Sequence, residues 1–397
     1  MTEGILELAI HRPPAAVSSA SASAWETTAG SIVHRPFRYL ERVGSAFTAF
    51  QLYIIAVGMT FIPLLLGALL SPLSLTTPSP THRLPFLCDW NVLFMFLVSF
   101  PCLVILTVTD YRYLGAALKS IESDGTIVIA QSDYNRLNKR WRGLFKIVNI
   151  TGQVLGIIVG GLMAYFNFVV YSKPSVGFWI ADDGHLLPVG FVFLYCIFLF
   201  FAVVPVYIGR NIAMSLFFKD IVAHAELHML PLHPDKCGGL RPVGRLGLRN
   251  QYALTMLGLN IVLLVVISRI YLPMADVTGL IVAAIVAYLV LGPVVFMGPL
   301  LPFRSGMLRN KSQLMSEVAQ RLRVELDRLR EQLRSGSISK KDEELIERLR
   351  KIGAVIDELP VWPFDAGTLR KFLTAYVIPV ASGAAIPVAK MLFHLAD

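Results

Sequence analysis

The sequence predicts an all-α membrane protein: a polytopic transmembrane helical bundle of six spans, an ambiguous C-terminal seventh, and a cytoplasmic helical hairpin. Three observations lead there. First, the 397 residues are 55% hydrophobic and only 16% charged, whereas a soluble domain carries about a quarter charged residues. Second, the charge is gathered into basic clusters between long uncharged runs, the pattern that bilayer solvent imposes. Third, Lys and Arg are abundant and scarce in alternate loops, as the positive-inside rule describes.

From the N-terminus, residues 1–34 read as a disordered segment with a short amphipathic turn around Ile5–Ile10. The Ala/Ser-rich stretch 15–24 is preceded by Glu3 and Glu7 and followed by no apolar core, so it is not a signal peptide. Residues 35–305 form the membrane domain. A hydrocarbon core of about 30 Å takes about 20 apolar residues at helical rise. Six segments meet that test: Phe47–Leu70, Asn91–Thr109, Ile147–Val170, Val189–Ile208, Tyr252–Leu272 and Val277–Leu301. Only the fifth carries a charge, Arg269, one turn from its end, where it can snorkel. No ionisable residue falls in mid-span, which lowers the expectation of a proton-driven carrier.

Orientation follows from the loops. Arg35, Arg38 and Arg42 precede span one. Seven Lys or Arg lie between spans two and three (Arg112 to Lys146), and six between spans four and five (Arg210 to Arg249). The intervening loops have Arg83 and Lys173 alone. The N-terminus is therefore expected in the cytoplasm. The net charge of +9 belongs to loops facing anionic phospholipid headgroups, not to a nucleic-acid surface. Arg241, Arg245 and Arg249, four apart, are expected to face those headgroups.

Within the spans, Gly156 and Gly160 form a GxxxG spacing, extended by Gly161, that admits a neighbouring helix. Asn149, Gln153 and Asn260 are polar candidates for interhelical packing or for lining a pore, with Asn167 beside them. Gly292-Pro293 and Gly298-Pro299 are expected to kink span six.

Residues 306–360 change character. Met315, Ala319, Leu322, Leu326, Leu329 and Leu333, then Leu345, Leu349, Ile352, Ile356 and Leu359, recur at spacings of three and four on charged helices. These are a/d seams of a coiled-coil-like hairpin. Ser339 and Asp342 read as a capping box opening its second helix. Residues 361–397 begin with Trp362-Pro363-Phe364, suited to a headgroup boundary. They end in an apolar stretch, 372–395, interrupted by Pro379, Pro387 and Lys390. It is either a seventh span or a membrane-associated segment.

The most distinctive local pattern follows span four. Three of the eight histidines, His224, His228 and His233, fall within ten residues. His224 and His228 would share a face if span four continued as a helix, and with His233 and Asp235 they form a candidate metal set. Glu226 stands between the wrong neighbours for a zinc-protease motif. The competing reading of His233, Pro234, Asp235, Lys236, Gly238, Gly239 and Leu240 is a sharp loop whose carboxylate accepts backbone N–H groups. His-Pro-Asp is also the tripeptide of J-domains, but that module flanks it with helices in a small soluble domain. The whole string resembles one in bacterial multi-spanning membrane proteins of no assigned activity, His-Pro-Asp-[Arg/Lys]-x-Gly-Gly-Leu. The resemblance implies a bacterial inner membrane and a shared loop structure, and brings no catalytic residue.

Four cysteines imply no disulfide framework. Phosphate loops, dinucleotide fingerprints and nucleophile elbows are absent from the sequence. No cofactor is expected beyond the candidate metal. The leading functional expectation is a homo-oligomeric channel or permeation protein with cytoplasmic gating elements. A membrane-anchored sensor or scaffold acting through the hairpin is the alternative, and a metal-dependent membrane enzyme comes third.

Overall fold

The structure is a computed structural model, and it describes residues 47–71, 75–76, 84–173, 178–182, 184–229, 233–271, 274–335 and 340–393. The segment 1–34, Arg35, Arg38, Arg42, Arg83, Pro231 and the 336–339 link with its Ser339 cap lie outside the described residues. The chain is mostly helical. Five stretches are long and apolar enough to cross a membrane: Ala49–Leu70, Trp90–Ser123, Asn135–Tyr171, Pro188–His224 and Arg241–Ser268. A sixth is reached if the bent pair Ile281–Met297 and Leu301–Glu331 counts as one span. Outward faces are themselves apolar, with Ile157 and Leu162 about three-fifths exposed, which suits lipid and not water.

The first span is two helices, α1 (Ala49–Met59) and α2 (Phe61–Leu70), parted at Thr60, whose hydroxyl donates back to Ala56 O. The second is α3 (Trp90–Phe94) and α4 (Phe100–Ser123), joined by a π-turn over Met95–Ser99. Pro101 explains the turn. It has no N–H to give the preceding turn and crowds the carbonyl four residues back, so Phe100 N–H reaches Met95 O instead.

After strand β1 (Ile127–Ile129) come the two longest spans, α5 (Gln131–Tyr171) and α6 (Pro188–His224). They lie antiparallel because the glycines of α5 remove the side chains between them. Gly152 sits against Val206, Gly156 against Ala202 and Gly160 against Phe198. The GxxxG spacing is thus used inside this chain, while Gly161 points at open space. A Cβ at Gly156 would overlap the Ala202 carbonyl. Gly156→Val is therefore expected to cost about 1–3 kcal/mol or more, and Gly161→Val less than about 0.5 kcal/mol. Unfolding midpoints of the two variants in mixed micelles check the contrast.

Strand β4 (Ala225–Leu227) follows α6 directly and pairs antiparallel with β1, Ile127 opposite Leu227 and Ile129 opposite Ala225. At the other end of the bundle β2 (Ala181–Asp182) pairs with β3 (His185–Leu186), and Trp179 Nε1 donates to Asp89 Oδ2 at 3.2 Å. Asp89 also caps α3 through Val92 N–H. Burial lifts the Asp89 carboxyl to about 6, against hydrogen bonds from Val92, Trp179 and Asn91 that pull it down. A carboxyl raised on folding stabilises the fold below its unfolded value near 3.8 and loses that contribution as pH rises through about 6. Acidification from pH 7 to 4 is expected to gain about 2 kcal/mol through this group. Unfolding titrations of wild type and Asp89→Asn check it; identical pH profiles would remove the assignment.

The third pair of membrane elements is α7 (Arg241–Tyr271) and α8 (Met274–Met297). Of the two Gly-Pro pairs, Pro293 lies inside a continuous α8, and the helix breaks at Gly298-Pro299 with a 43° bend into α9 (Leu301–Ser335). Gly292 serves a different purpose, leaving room for the Tyr376 ring. Helix α10 (Lys340–Asp357) runs back along α9, with Lys311 Nζ 3.1 Å from Asp357 Oδ1 and Gly353 beside Val318. Leu349 and Ile356 of the seam are buried, while Leu345 and Ile352 remain exposed.

The last helix, α11 (Ala366–Phe393), lies against α7 and α8. Phe372 stacks on Phe296 with centroids 4.0 Å apart, Tyr376 stacks on Tyr288, and Thr255 Oγ1 donates to Ala375 O. Ahead of it, Trp362 and Phe364 pack inward: Arg304 lies 4.4 Å over the Trp362 ring and Phe364 meets Phe296. Both aromatics are half-buried.

Candidate functional site

The loop 233–240 is built around one carboxylate. Asp235 Oδ1 accepts from Cys237 N–H at 2.8 Å and Gly239 N–H at 3.1 Å, and Oδ2 accepts from Arg241 N–H at 3.2 Å, the first turn of α7. His233 Nδ1 lies 2.6 Å from Oδ1. Burial pushes this carboxyl up, but the three backbone donors and His233 outweigh it and hold it below its usual range. Lys236, Gly238 and Gly239 all have positive φ, at 57°, 64° and 90°. At Gly239 a side chain would also collide with Thr126, so the motif docks on the turn before β1. Leu240 and Cys237 are fully buried, and burial, aided by Asp235 and Asp365, pushes the Cys237 thiol up to about 12. Three backbone donors and His233 engage both oxygens of Asp235 in the turn, which leaves little for a ligand.

The histidines do not converge. Helix α6 ends at His224, and residues 225–227 are strand. His224 and His228 therefore lie on different elements and not on one helical face. His224 Nδ1 meets Asp220 O at 2.9 Å, and His228 Nε2 sits 3.6 Å from Glu226. Among the described residues no three His, Cys, Asp or Glu are grouped to hold a metal ion.

A buried charged layer lies where α4, α5, α6 and α7 meet, at the end of the bundle that carries the basic segments. Asp110 has no exposed surface, and its Oδ1 accepts from Arg249 at 2.7 Å. Arg249 also donates to Leu106 O at 3.2 Å and to Thr109 Oγ1, and lies 4.0 Å over the Tyr113 ring. Beside it, Arg210 donates to Asn149 Oδ1 at 2.8 Å and to Thr107 O, and stacks over Tyr111. A third group joins them: Tyr207 O–H donates to Asn250 O at 2.6 Å, Asn250 Nδ2 to Asn211 Oδ1, and Asn211 Nδ2 to Tyr207 O at 2.9 Å.

Two features set this layer apart from ordinary packing. It holds two guanidiniums to one carboxylate, and among the described residues no carboxylate is within ion-pair distance of Arg210. It also leaves two buried acceptors, Asp110 Oδ2 and Asn250 Oδ1, without a hydrogen-bond partner. A buried carboxylate oxygen without a donor is costly in a low-dielectric site. Such groups in membrane proteins mark functional positions by default.

Above this layer, away from the basic end, the α4–α7 seam is closed by Leu103, Tyr207 and Ala253, all buried. Beyond them Ser99 Oγ donates to Met256 O at 3.3 Å. Asn260 Nδ2 donates to Met256 O at 3.2 Å, while its Oδ1 is buried without a partner.

Of the predicted polar residues, Asn149 enters the charged layer through Arg210, Asn260 lies further along α7, and Gln153 is exposed on the outer face of α5. The structure does not bring the three together. Asn167 bonds Met163 O within its own helix. Of the three arginines expected to face headgroups, Arg245 is exposed, Arg241 pairs with Asp365 at 3.5 Å, and Arg249 is drawn inside by Asp110. The absence of ionisable residues from mid-span goes together with a buried charged layer at one end of the spans. Asp110, Arg210 and Arg249 flank the apolar runs and count as loop charges by position. The signal nearest to hand is that Asp110 ends an apolar run as the only acid between Asp89 and Glu122, which marks the residue but not its partner. Comparison of the chain with protein-family models, curated proteins and solved structures finds no match.

Proposed function

We propose that the chain is a permeation protein of a bacterial inner membrane, a homo-oligomeric channel whose path follows the seam between α4 and α7. The observation that carries this reading is Asp110: a fully buried carboxylate, half paired to Arg249 and half without a donor. Holding ionised groups inside a bundle costs several kcal/mol per ion, and a purely structural seam could be apolar at no such cost. The Leu103–Tyr207–Ala253 closure then acts as the gate, in its shut form.

In this reading the N-terminus, the β1–β4 ribbon, the 233–240 loop and the α9–α10 pair lie in the cytoplasm, in keeping with the Lys and Arg count of the loops. The bend at Gly298-Pro299 links the α9–α10 pair to the last described span pair, so movement of one is carried to the other. Helix α11 acts as a seventh span, supported by its aromatic stacking along α7 and α8. The His233–Leu240 loop is a structural device in this account, and no metal or enzymatic step is invoked.

Purified protein in liposomes should pass ions under an applied potential, and a bilayer that stays tight to every ion tested would end the permeation reading. A second reading, a membrane-anchored scaffold, is favoured by the apolar stripe Leu345, Ile352 and Val355 on the exposed flank of α10. It predicts that deleting residues 312–359 removes a partner from pull-downs; recovery of the same proteins with and without the segment would sink it.

A further inference from the structure

We infer that the permeant species is the proton, carried through the charged layer by Asp110. The inference rests on the permeation reading and narrows it. Its basis is the chemistry of what is left unpaired. Asp110 Oδ2 and Asn250 Oδ1 in the layer, and Asn260 Oδ1 further along the same helix, are buried oxygen acceptors without donors, and the amide of the buried Gln251 beside Asn250 has neither end paired. Ten residues of α-helix separate the two asparagines, a rise of about 15 Å. A permeating anion would be repelled by the bare carboxylate oxygen of Asp110 and would find only the Gln251 amide as an unpaired donor nearby, and a metal cation would need several converging oxygens. A carboxylate oxygen with no donor is completed by a proton, and an amide oxygen with none by a water that can relay one.

The surroundings of Asp110 suit reversible protonation. The ionisable groups that face it are Arg249 on α7, Arg210 and the Tyr207 hydroxyl on α6, and Tyr111 on its own helix. Helix α1 also packs on α4 and carries only Tyr53, while β1 carries none. Oδ2 takes a proton from a hydronium ion at the basic end of the bundle, leaving water and a neutral carboxylic acid. The acid then returns the proton to water on the far side, once the Leu103–Tyr207–Ala253 closure admits it. Arg249 is not stranded when Asp110 is neutral. It keeps Leu106 O, Thr109 Oγ1 and the Tyr113 ring, so the layer survives the loss of the ion pair.

The test uses the full chain in liposomes loaded with a pH-reporting dye, with potassium and valinomycin clamping the potential. Wild type is expected to dissipate an imposed pH gradient, and Asp110→Asn to slow that at least tenfold while eluting and melting as folded protein. Three results overturn the inference. Wild type that passes potassium, chloride or an organic ion but holds the pH gradient leaves a channel that is not a proton path. Wild type that passes nothing removes the permeation reading itself. Folded Asp110→Asn with wild-type proton flux removes Asp110. Should Asp110→Asn fail to fold, wild type decides by infrared difference spectra across a pH titration. The band of a buried protonated carboxyl is expected to rise and fall reversibly, and Asn260→Leu to lower proton flux. Absence of that band, or unchanged flux in Asn260→Leu, counts against the proposal.

Discussion

Arg249→Met is expected to destabilise the folded protein by about 3–5 kcal/mol, because it strands the Asp110 carboxylate in a site without exposed surface. The pair is asymmetric in what its loss does. Removing both charges, in Asp110→Asn with Arg249→Met, is expected to recover much of the stability, since a neutral pair has no desolvation to offset. Equilibrium unfolding of wild type, both single variants and the double variant in mixed micelles gives the coupling between the two side chains. A double variant whose loss equals the sum of the two single losses would mean that the 2.7 Å contact contributes no coupling energy. Arg249→Lys is not a gentle substitute. A lysine ammonium cannot reproduce the fork that reaches Asp110, Leu106 and Thr109 together.

Asp235→Ala should cost about 3 kcal/mol, from a different cause. The substitution removes the acceptor for three backbone N–H groups, of Cys237, Gly239 and Arg241, and each donor left buried and unpaired costs about 1–3 kcal/mol. The sign with pH is opposite to that at Asp89. A carboxyl held below its usual range stabilises the fold above that range, and loses the contribution as pH falls through the folded value. The wild-type advantage over Asp235→Ala should therefore be full at neutral pH and shrink in acid. Flux per folded molecule should be unchanged, because this carboxylate is spent on the turn. A variant that folds as well as wild type would show that the loop does not depend on its central acceptor.

The long apolar helices were legible because hydropathy is a local property, summed over each span without knowledge of its neighbours. The return of α10 along α9 was legible for the same reason, from the three-and-four spacing of Leu349, Ile356 and their fellows. So was the turn around Asp235, whose glycines and short acid announce it within eight residues. Asp110 and Arg249 were not. Their meeting depends on how α4 and α7 cross, and nothing in the residues around either one encodes it. Each looks like an ordinary charge at a membrane edge. The histidine spacing misled because it presumed that α6 continues, whereas Ala225, Glu226 and Leu227 leave the helix to pair with β1.

That pairing has a consequence for how the protein is made. Ile127 leaves the ribosome 100 residues before its partner Leu227, and between them lie two complete membrane helices, α5 and α6. At about 5–20 residues per second, β1 waits roughly 5–20 s with its hydrogen-bonding edge unfilled. The ribbon can close only when both helices have been inserted and have packed side by side. A failure of either insertion leaves that strand open, a mark by which quality-control machinery could tell a half-built molecule from a finished one.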